Sequence, residues 1–445
     1  MTPLSDDLFR ALHAHGGHPA LESRQGVLSH RDLAAAAAAR AAALRTEGVV
    51  EGAAVPVMVD NRPDDVIDLL AVWRLGASAV PIHRATPDAV RLAFVEQLSR
   101  AQLPPGSSTI VFTSGSTGEP KGVVLLADRQ AAKLHAIRRE TRWQDGARTL
   151  LALQLTFSFG QWVMAVTLLS GGTLVFPDRL AVAPVMQQLR AGGIDRMPAV
   201  PTLLRGLLDH PEAAALSGWS GAIIAGGEVL PAALGARIRA AWPEVALGDI
   251  YGLSETGTSD FYVDPEDYDA ATGSLGRAGD GIDWTLADNG ELRIRSPWRM
   301  AGYLNAPETT AAAFDEDGYF RTGDLAAVRD DGRPTLIGRA KELINRGGMK
   351  VAPLEVEAAM AEHPDVAGVL VGGMSDPETG EAVVAVVVSA PGRVVDTERL
   401  RAWLGERIER YKVPSRLLVV EALPVGRTGK ADRNAVAALV RSEPT

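Results

Sequence analysis

Apolar and polar segments alternate along the first half of the chain and predict a series of strands and helices. Polar residues at Ser29-His30-Arg31-Asp32 form a capping box, and the alanine-rich run after it predicts a helix from Leu33 to about Leu44. Short apolar runs predict strands, with helical segments between several of them. These runs are Ala54–Val59, Ser78–Ile82, Thr109–Phe112, Leu150–Leu155, Thr173–Phe176 and Ala222–Ala225. Such alternation is typical of a mainly parallel α/β sheet.

The pattern changes after Leu286, where short strands and Asp-Gly or Asn-Gly turns predict a small β-rich subdomain that extends to Gly338. The last hundred residues predict a separate α+β unit, in which a helix begins at Pro353 and Pro364 stops it. Strands at 366–371 and 383–388 and a later helix complete it. We therefore predict an α/β fold with a large N-terminal domain, residues 1–340, and a smaller mobile α+β C-terminal domain, residues 341–445.

Composition narrows the possible functions. With 445 residues, 46% of them hydrophobic, the chain is expected to form two or three domains. The net charge of −10 and the lack of a basic stripe argue against nucleic acid as a partner. No cysteine is present, so the chain cannot carry a covalent thioester itself. We found no signal peptide and no membrane-spanning stretch, and we expect a cytoplasmic protein without a membrane partner.

The segment from Thr113 to Gly122 carries the most informative chemistry. Glycines free its backbone to curl around an anion, hydroxyls add donors, and Lys121 supplies a positive charge, which together predict a phosphate cradle. It is not the ordinary P-loop, in which Gly precedes the lysine and Ser or Thr follows it. Since Pro120 precedes Lys121, we expect a loop there rather than a helix start. The segment reads Thr113-Ser114-Gly115-Ser116-Thr117-Gly118-Glu119-Pro120-Lys121-Gly122.

Further motifs follow it in order. Ser254 and Glu255 offer a hydroxyl and a carboxylate, which are hard oxygen ligands suited to phosphate and Mg²⁺. Asp324 has two acceptor oxygens, as a vicinal diol requires. The motifs are Ala225-Gly226-Gly227-Glu228, Ile250-Tyr251-Gly252-Leu253-Ser254-Glu255-Thr256, Tyr319-Phe320-Arg321-Thr322-Gly323-Asp324-Leu325, Gly338-Arg339-Ala340-Lys341-Glu342, Asn345-Arg346-Gly347-Gly348-Met349-Lys350 and Pro424-Val425-Gly426-Arg427-Thr428-Gly429-Lys430-Ala431-Asp432-Arg433.

Read together, these motifs resemble those of the adenylate-forming enzymes: acyl-CoA synthetases, luciferases and the adenylation domains of peptide synthetases. The resemblance covers most of the chain and implies ATP, Mg²⁺ and either CoA or a phosphopantetheine carrier as ligands. It implies roles in nucleotide binding for the following residues. The glycine-rich segment and Lys121 would bind phosphate, and Ser254 would contact the α-phosphate while Glu255 holds Mg²⁺. Gly226, Gly227 and Glu228 would line the adenine pocket, with Tyr251 stacked on adenine. Asp324 would accept both ribose hydroxyls, and Arg339 would reach the ribose or phosphates.

The resemblance also implies roles in the C-terminal domain. Lys341 would be the hinge, Gly347 and Gly348 would face the acyl-transfer channel, and Lys430 would be the catalytic residue. A carboxylate that attacks the α-phosphate of ATP brings two anions together, so a delivered cation stabilises the transition state. His13, His15 and His18 fit no common metal-site spacing, and we interpret them as solvated residues.

Two departures from the family pattern bear on the substrate. Only about a hundred residues precede the glycine-rich segment, so we expect an abbreviated N-terminal part. In Thr156-Phe157-Ser158-Phe159-Gly160-Gln161-Trp162, Ser158 stands where relatives that activate amino acids carry aspartate, which disfavours an α-amino acid. The aromatic side chains of Phe157, Phe159 and Trp162 would suit an aryl or short apolar acid, although they could equally belong to the core.

We therefore predict an AMP-forming acid–thiol ligase that makes an acyl-AMP from ATP and a carboxylic acid and passes the acyl group to CoA. One alternative keeps the first half-reaction and passes the acyl group to a carrier-protein phosphopantetheine or to an amine. A second alternative, a nucleotide-binding regulator without catalysis, is disfavoured by the presence of Glu255, Asp324 and Lys430.

Overall fold

The computed structural model describes residues 2–113, 120–426 and 430–442. Its helices, in chain order, are α1 Pro3–His15, α2 His30–Thr46, α3 Pro63–Arg74, α4 Asp88–Ser99, α5 Ala127–Glu140, α6 Ser158–Leu169, α7 Val182–Ala191, α8 Pro201–Leu208, α9 Ala232–Ala241, α10 Tyr268–Ala271, α11 Pro307–Ala312, α12 Pro353–Ala361, α13 Thr397–Gly405 and α14 Asn434–Ser442. None of the helices in this part of the chain combines the length and apolar character that crossing a membrane requires.

The strands fall into four sheets. In chain order they are β1 Pro19–Ser23, β2 Gly26–Ser29, β3 Ala54–Val59, β4 Ser78–His83, β5 Ser107–Thr113, β6 Lys121–Leu126, β7 Arg148–Leu150, β8 Thr173–Val175, β9 Arg196–Ala199, β10 Ala222–Gly226, β11 Ala246–Tyr251, β12 Phe261–Val263, β13 Arg277–Ala278, β14 Asp283–Leu286, β15 Glu291–Arg295, β16 Gly302–Tyr303, β17 Phe320–Val328, β18 Pro334–Arg339, β19 Ile344–Arg346, β20 Met349–Val351, β21 Val366–Asp376, β22 Gly380–Ser389 and β23 Arg416–Val419.

Two sheets enclose the largest core. One has the order β13-β12-β11-β10-β9-β7-β8-β1-β2 and is parallel from β11 to β1, and the other has the order β16-β6-β5-β4-β3. Most of the buried apolar side chains of this core come from helices α1, α2, α3, α5 and α6. The predicted α/β class is confirmed, and the parallel strands β9, β10 and β11 end at one edge, where α/β sheets place their ligands.

The predicted helix near Leu33 is confirmed as α2. Ser29 caps it, since the Ser29 hydroxyl accepts the Asp32 N–H at 3.1 Å while Asp32 Oδ2 accepts the Ser29 N–H at 3.4 Å. The prediction of a strand from Leu150 to Leu155 is wrong beyond Leu150, because the chain continues as a buried loop. The Asn61 side chain makes the backbone hydrogen bonds that a neighbouring strand would otherwise make. Its Oδ1 accepts the Leu155 N–H at 3.0 Å, and its Nδ2 donates to the Leu153 carbonyl.

The predicted β-rich subdomain is the antiparallel sheet β14-β15-β17-β18, and the C-terminal sheet has the order β20-β19-β22-β21, with β23 beside β22. The C-terminal sheet packs with α12 and α13 around a separate apolar core. Strand β18 ends at Arg339 and β19 begins at Ile344, so the boundary that we predict after residue 340 lies between two different sheets. The division into domains and its mobility remain predictions.

Candidate active site

Asp324 lies at the centre of a hydrogen-bonded group on the β-rich sheet. It is 2% exposed, and its carboxylate accepts the Tyr251 hydroxyl at 2.6 Å. Arg339 Nε lies 2.8 Å from the other carboxylate oxygen, because β17 and β18 place Asp324 and Arg339 opposite each other in antiparallel register. Burial and the Asp324 charge raise the pKa of Tyr251 well above its usual value, so its hydroxyl remains a donor. The group presents a fixed carboxylate at the end of β11.

Glu255 lies near Lys121, at the described end of the glycine-rich segment. It belongs to a short turn from Ser254 to Thr256 that follows β11, and its carboxylate accepts the Tyr303 hydroxyl at 3.1 Å. Lys121 Nζ lies 5.0 Å from the centre of the Tyr303 ring. Burial raises the pKa of Glu255, while Tyr303, Lys121 and Arg339 oppose that rise. One carboxylate therefore lies among groups that donate or carry positive charge, next to the predicted phosphate cradle.

The cradle itself is described only at its two ends. Thr113 ends β5 and its hydroxyl donates to the Lys121 carbonyl at 3.4 Å. The predicted phosphate ligands Ser114, Gly115, Ser116, Thr117 and Gly118 lie outside the described residues. We expected a loop at Lys121, but it is the first residue of β6, because the pairing of β5 with β6 extends to Thr113 and Lys121.

Lys430 lies close to the end of strand β10. Its Nζ is 5.9 Å from the centre of the Phe157 ring and 3.8 Å from the position that a Cβ at Gly227 would take. Burial lowers the pKa of Lys430, the Glu228 charge opposes this, and Arg339 adds to it. The charges of Glu228 and Arg339 thus act on Lys430, although both are remote from it in sequence.

Backbone contacts and the anchored residues that follow hold Lys430 in this place. Gly426 N–H donates to the Lys430 carbonyl at 2.7 Å, and Val425 and Ala431 form a β-bridge. Arg433 anchors the following residues, since its Nε lies 3.0 Å from Glu342 and its guanidinium also pairs with Glu357. The residues that follow Lys430 are therefore tied both to the region after β18 and to α12.

The end of β10 is shaped by its glycines and by Thr202. Gly227 has φ of 79°, which favours glycine, and Phe159 lies 3.1 Å from where a Cβ at Gly226 would be. The Glu228 carboxylate accepts the Thr202 hydroxyl at 2.8 Å. The three predicted adenine-pocket residues are thus brought to the same sheet edge as Tyr251.

A cavity lies between α5 and α6, close to the turn that follows β11. Ser158 and Ser254 line it and their hydroxyl oxygens are 2.5 Å apart. Trp162 also lines it but is 3% exposed and belongs to the main core, so it is both core and cavity wall. Phe159 stacks on Trp162 at 5.3 Å, and Phe157 instead approaches Lys430; neither lines this cavity. None of the described residues that line it is Asp or Glu.

Three predicted residues do not join this group. Gly347 and Gly348 form the exposed turn between β19 and β20, with φ of 59° and 84°, and apart from their chain neighbours no described residue comes within 4 Å of the place that a Cβ on either would take. Lys341 is exposed just after β18. Their predicted roles in acyl transfer and hinge motion remain predictions.

The sequence did not predict several residues that hold the site carboxylates or line the cavity. Tyr303 and Thr202 hold the Glu255 and Glu228 carboxylates, and Lys133 and Trp298 line the cavity. Tyr303 lies in the two-residue strand β16, which pairs with β6 over a long sequence separation. No motif marks Tyr303 or Lys133, and the burial of Lys133 on α5 is visible only in the structure.

Solved structures share this fold. The anthranilate CoA ligase AuaEII in complex with anthranoyl-AMP superposes with a TM-score of 0.88 at 20% identity over 98% of this chain and 97% of that one. The amide bond synthetase McbA from Marinactinospora thermotolerans has a TM-score of 0.83 at 24% identity, with 98% and 99% covered. The fold is therefore that of the adenylate-forming enzymes.

The family assignment comes from sequence. The model for the AMP-binding enzyme matches residues 8–103 and 99–304, and the model for the AMP-binding enzyme C-terminal domain matches residues 355–430. The chain belongs to the AMP-binding enzyme family. The sulfoacetate–CoA ligase of Cupriavidus necator is 32% identical over 84% of this chain and 77% of that protein. The indoleacetate–CoA ligase of Aromatoleum aromaticum is 30% identical over 98% of both.

These findings confirm the predicted class, an AMP-forming acid–CoA ligase of the adenylate-forming superfamily, which uses ATP and CoA. The two relatives are named for different acids, so they support the reaction without identifying the acid used by this chain.

Proposed function

We propose that this protein activates an aryl or short carboxylic acid without an α-ammonium group, and that Lys430 is the catalytic cation. The proximity of Lys430 to Phe157 and Gly227 carries the proposal, because it brings a charged side chain of the C-terminal unit to the sheet edge that holds Tyr251 and Glu228. A carboxylate oxygen would attack the α-phosphorus of ATP, the bond to the β-phosphate would break, and pyrophosphate would leave. The CoA sulfur would then form a bond to the acyl carbon, releasing AMP and the thiol proton.

The cavity at Ser158 and Ser254 is our proposed acid site. Its described lining has no carboxylate to pair with a substrate ammonium, which supports the exclusion of α-amino acids. Its largely apolar wall, which includes Trp162 and Leu134, suits the body of a short acid, and with a volume of about 40 Å³ the cavity must widen to admit an aryl acid. The hydroxyls of Ser158 and Ser254 would donate to the reacting carboxylate.

Asp324 would accept the ribose hydroxyls, and Tyr251 would support Asp324 as well as pack on the base. Glu255 would hold Mg²⁺, for which a carboxylate beside a phosphate site is suitable, and the ion would neutralise charge on the phosphates. Arg339 and Lys121 would add positive charge near the same phosphates. These assignments rest on the contacts described above and on the family motifs.

Pyrophosphate release from ATP tests the proposed reaction. It should be measured with aryl, short-chain and amino acids, with and without CoA. We expect release that needs an acid, is negligible with α-amino acids and rises with CoA. Release that is indifferent to CoA would favour a carrier phosphopantetheine or an amine as acceptor, and ATP binding without turnover on any acid would favour a regulator.

Replacing Glu255 by glutamine should raise the Mg²⁺ concentration needed for half-maximal activity about tenfold or more, because one charge-assisted contact to the ion is lost. Titration of Mg²⁺ at saturating ATP measures it. Glu308→Gln on α11 is a control, since it neutralises an exposed carboxylate outside the site. An unchanged Mg²⁺ requirement would contradict the role of Glu255.

A further inference from the structure

Lys133 is a buried cation that the proposed chemistry does not use. It lies on α5 with 2% exposure, its Nζ donates to the Ser259 carbonyl at 2.8 Å, and Nζ is 4.4 Å from the centre of the Trp298 ring. Among the described residues it has no other hydrogen-bond partner and forms no ion pair within 4 Å. Burial lowers its pKa, and the nearby Asp260 charge opposes this most strongly. An ammonium group has three donors, so two remain unfilled.

Lys133 lines the cavity that opens at Ser158 and Ser254. On α5 it shares the cavity-facing side with Gln130, Leu134 and Ile137, at the spacing of one helix face. The buried indole nitrogen of Trp162, in the same wall, also has no hydrogen-bond partner within the described part of the chain. The cavity wall is largely apolar by area but also carries Arg129 and neutral polar side chains, and at Lys133 it holds unfilled donors and a buried positive charge.

Neutralising Asp260 is the competing explanation for a lysine here. Asp260 is fully buried, but one of its oxygens already accepts the Thr256 hydroxyl and the Leu253 N–H. The other oxygen is unpartnered among the described residues, and Lys133 does not reach it within 4 Å. Direct pairing with Asp260 therefore does not account for the donors that Lys133 leaves free.

We infer that Lys133 binds a second anionic group, a carboxylate or sulfonate, at the end of the acid opposite the carboxylate that is activated. This inference rests on the proposed function, in which Ser158 and Ser254 mark the reacting end. An oxyanion would fill the free donors through charge-assisted hydrogen bonds, and the face of Trp298 would stabilise the ammonium from one side. A neutral tail would leave those donors buried and unpaired.

Matched acids test this selectivity. Butanoate is compared with succinate, propanoate with 3-sulfopropanoate, and 3-phenylpropanoate with 3-(4-carboxyphenyl)propanoate, by kcat/KM for pyrophosphate release. We expect the wild-type protein to favour the dianionic member of at least one pair by about 10- to 100-fold, the range for a hydrogen bond to a charged group. Lys133→Met should abolish that preference mainly by raising KM for the dianion, while the monoanion is used as well or better.

Two further variants separate binding from folding. Arg139→Met removes a charge from the solvent-facing side of the same helix, where the Arg139 side chain is 63% exposed, and should keep the preference. Lys133→Met leaves the buried Asp260 uncompensated, so the double variant Lys133→Met with Asp260→Asn removes both charges and should fold if the single variant does not. Thermal unfolding checks each variant, and the double variant should also lack the preference.

Preference for the monoanion in every pair, or a dianion preference that survives in a folded Lys133 variant, would overturn the inference. Turnover of the monoanions alone would leave the proposed function in place while the inference fails. No acid-dependent release with any acid would overturn both.

Discussion

Replacing Lys430 by alanine is expected to slow carboxylate-dependent pyrophosphate release about 10²- to 10³-fold, which corresponds to about 3–4 kcal/mol of lost transition-state stabilisation. The measurement is kcat for pyrophosphate release at saturating ATP, Mg²⁺ and acid. Charge builds on the phosphoryl oxygens and on the departing pyrophosphate as the acid attacks, and Lys430 is the cation that the C-terminal part of the chain brings to this edge.

The same variant should leave the second half-reaction largely intact. Transfer of the acyl group from supplied acyl-AMP to CoA does not build charge on pyrophosphate, so its rate is expected to stay close to that of the wild-type protein. Arg410→Ala provides a control, because Arg410 is an exposed cation of the C-terminal unit outside the site. Equal loss of both half-reactions would refute the separation of roles.

The pH profile gives an independent check. Lys430 must be protonated to act as a cation, and burial lowers its pKa below that of an ordinary lysine. Adenylation should therefore fall, as pH rises, at a lower pH than the usual lysine value, and the Lys430→Ala variant should lack this limb. A profile in which wild type and variant share the same alkaline limb would assign it to another group.

Replacing Asp324 by alanine is expected to raise KM for ATP by about 100-fold, since hydrogen bonds from both ribose hydroxyls to a charged acceptor are lost. The carboxylate is buried and oriented by Tyr251 and Arg339, so little ordering would be needed when the ribose binds. Calorimetric titration with ATP measures the affinity directly, alongside steady-state kinetics.

Further variants identify the cause of that loss. Asp330→Ala removes an exposed carboxylate from the turn after β17 and should bind ATP normally. Tyr251→Phe keeps the ring and removes only the hydroxyl that orients Asp324, and we expect a smaller loss of ATP affinity than for Asp324→Ala. If Asp324→Ala folds and binds ATP as tightly as wild type, the ribose assignment is wrong.

Structural features that depend on residues close together in the chain were predictable from the sequence. The cap at Ser29 and the helix after it follow from local hydrogen bonds and helix propensity, and the structure has them. The apolar run after Leu150 shows the limit of such reasoning. It predicted a strand, but Asn61, 92 residues from Leu153, satisfies the backbone of a buried loop instead.

The same distinction holds for the site, where short motifs could be predicted but their spatial arrangement could not. Motifs in the sequence named Tyr251, Glu255, Asp324 and Lys430, because phosphate, metal and diol chemistry requires particular side chains in short segments. Their distances depended on strand register and on the contacts of Lys430 and Arg433 with distant residues, which no local pattern specifies. The supporting hydroxyls of Tyr303 and Thr202 stand outside every motif, so only the structure showed them.

By itself, the sequence determined the reaction class, since ordered motifs specify the groups that handle a nucleotide and an acid. Tertiary structure decided which cavity lies beside those groups and what lines it. In the sequence, nothing distinguishes Lys133 from a surface lysine. It becomes a candidate anion ligand only because α5 packs beside α6 and buries its ammonium next to Trp298. The physical reason is that burial and unfilled hydrogen bonds arise from contacts between segments distant in the chain.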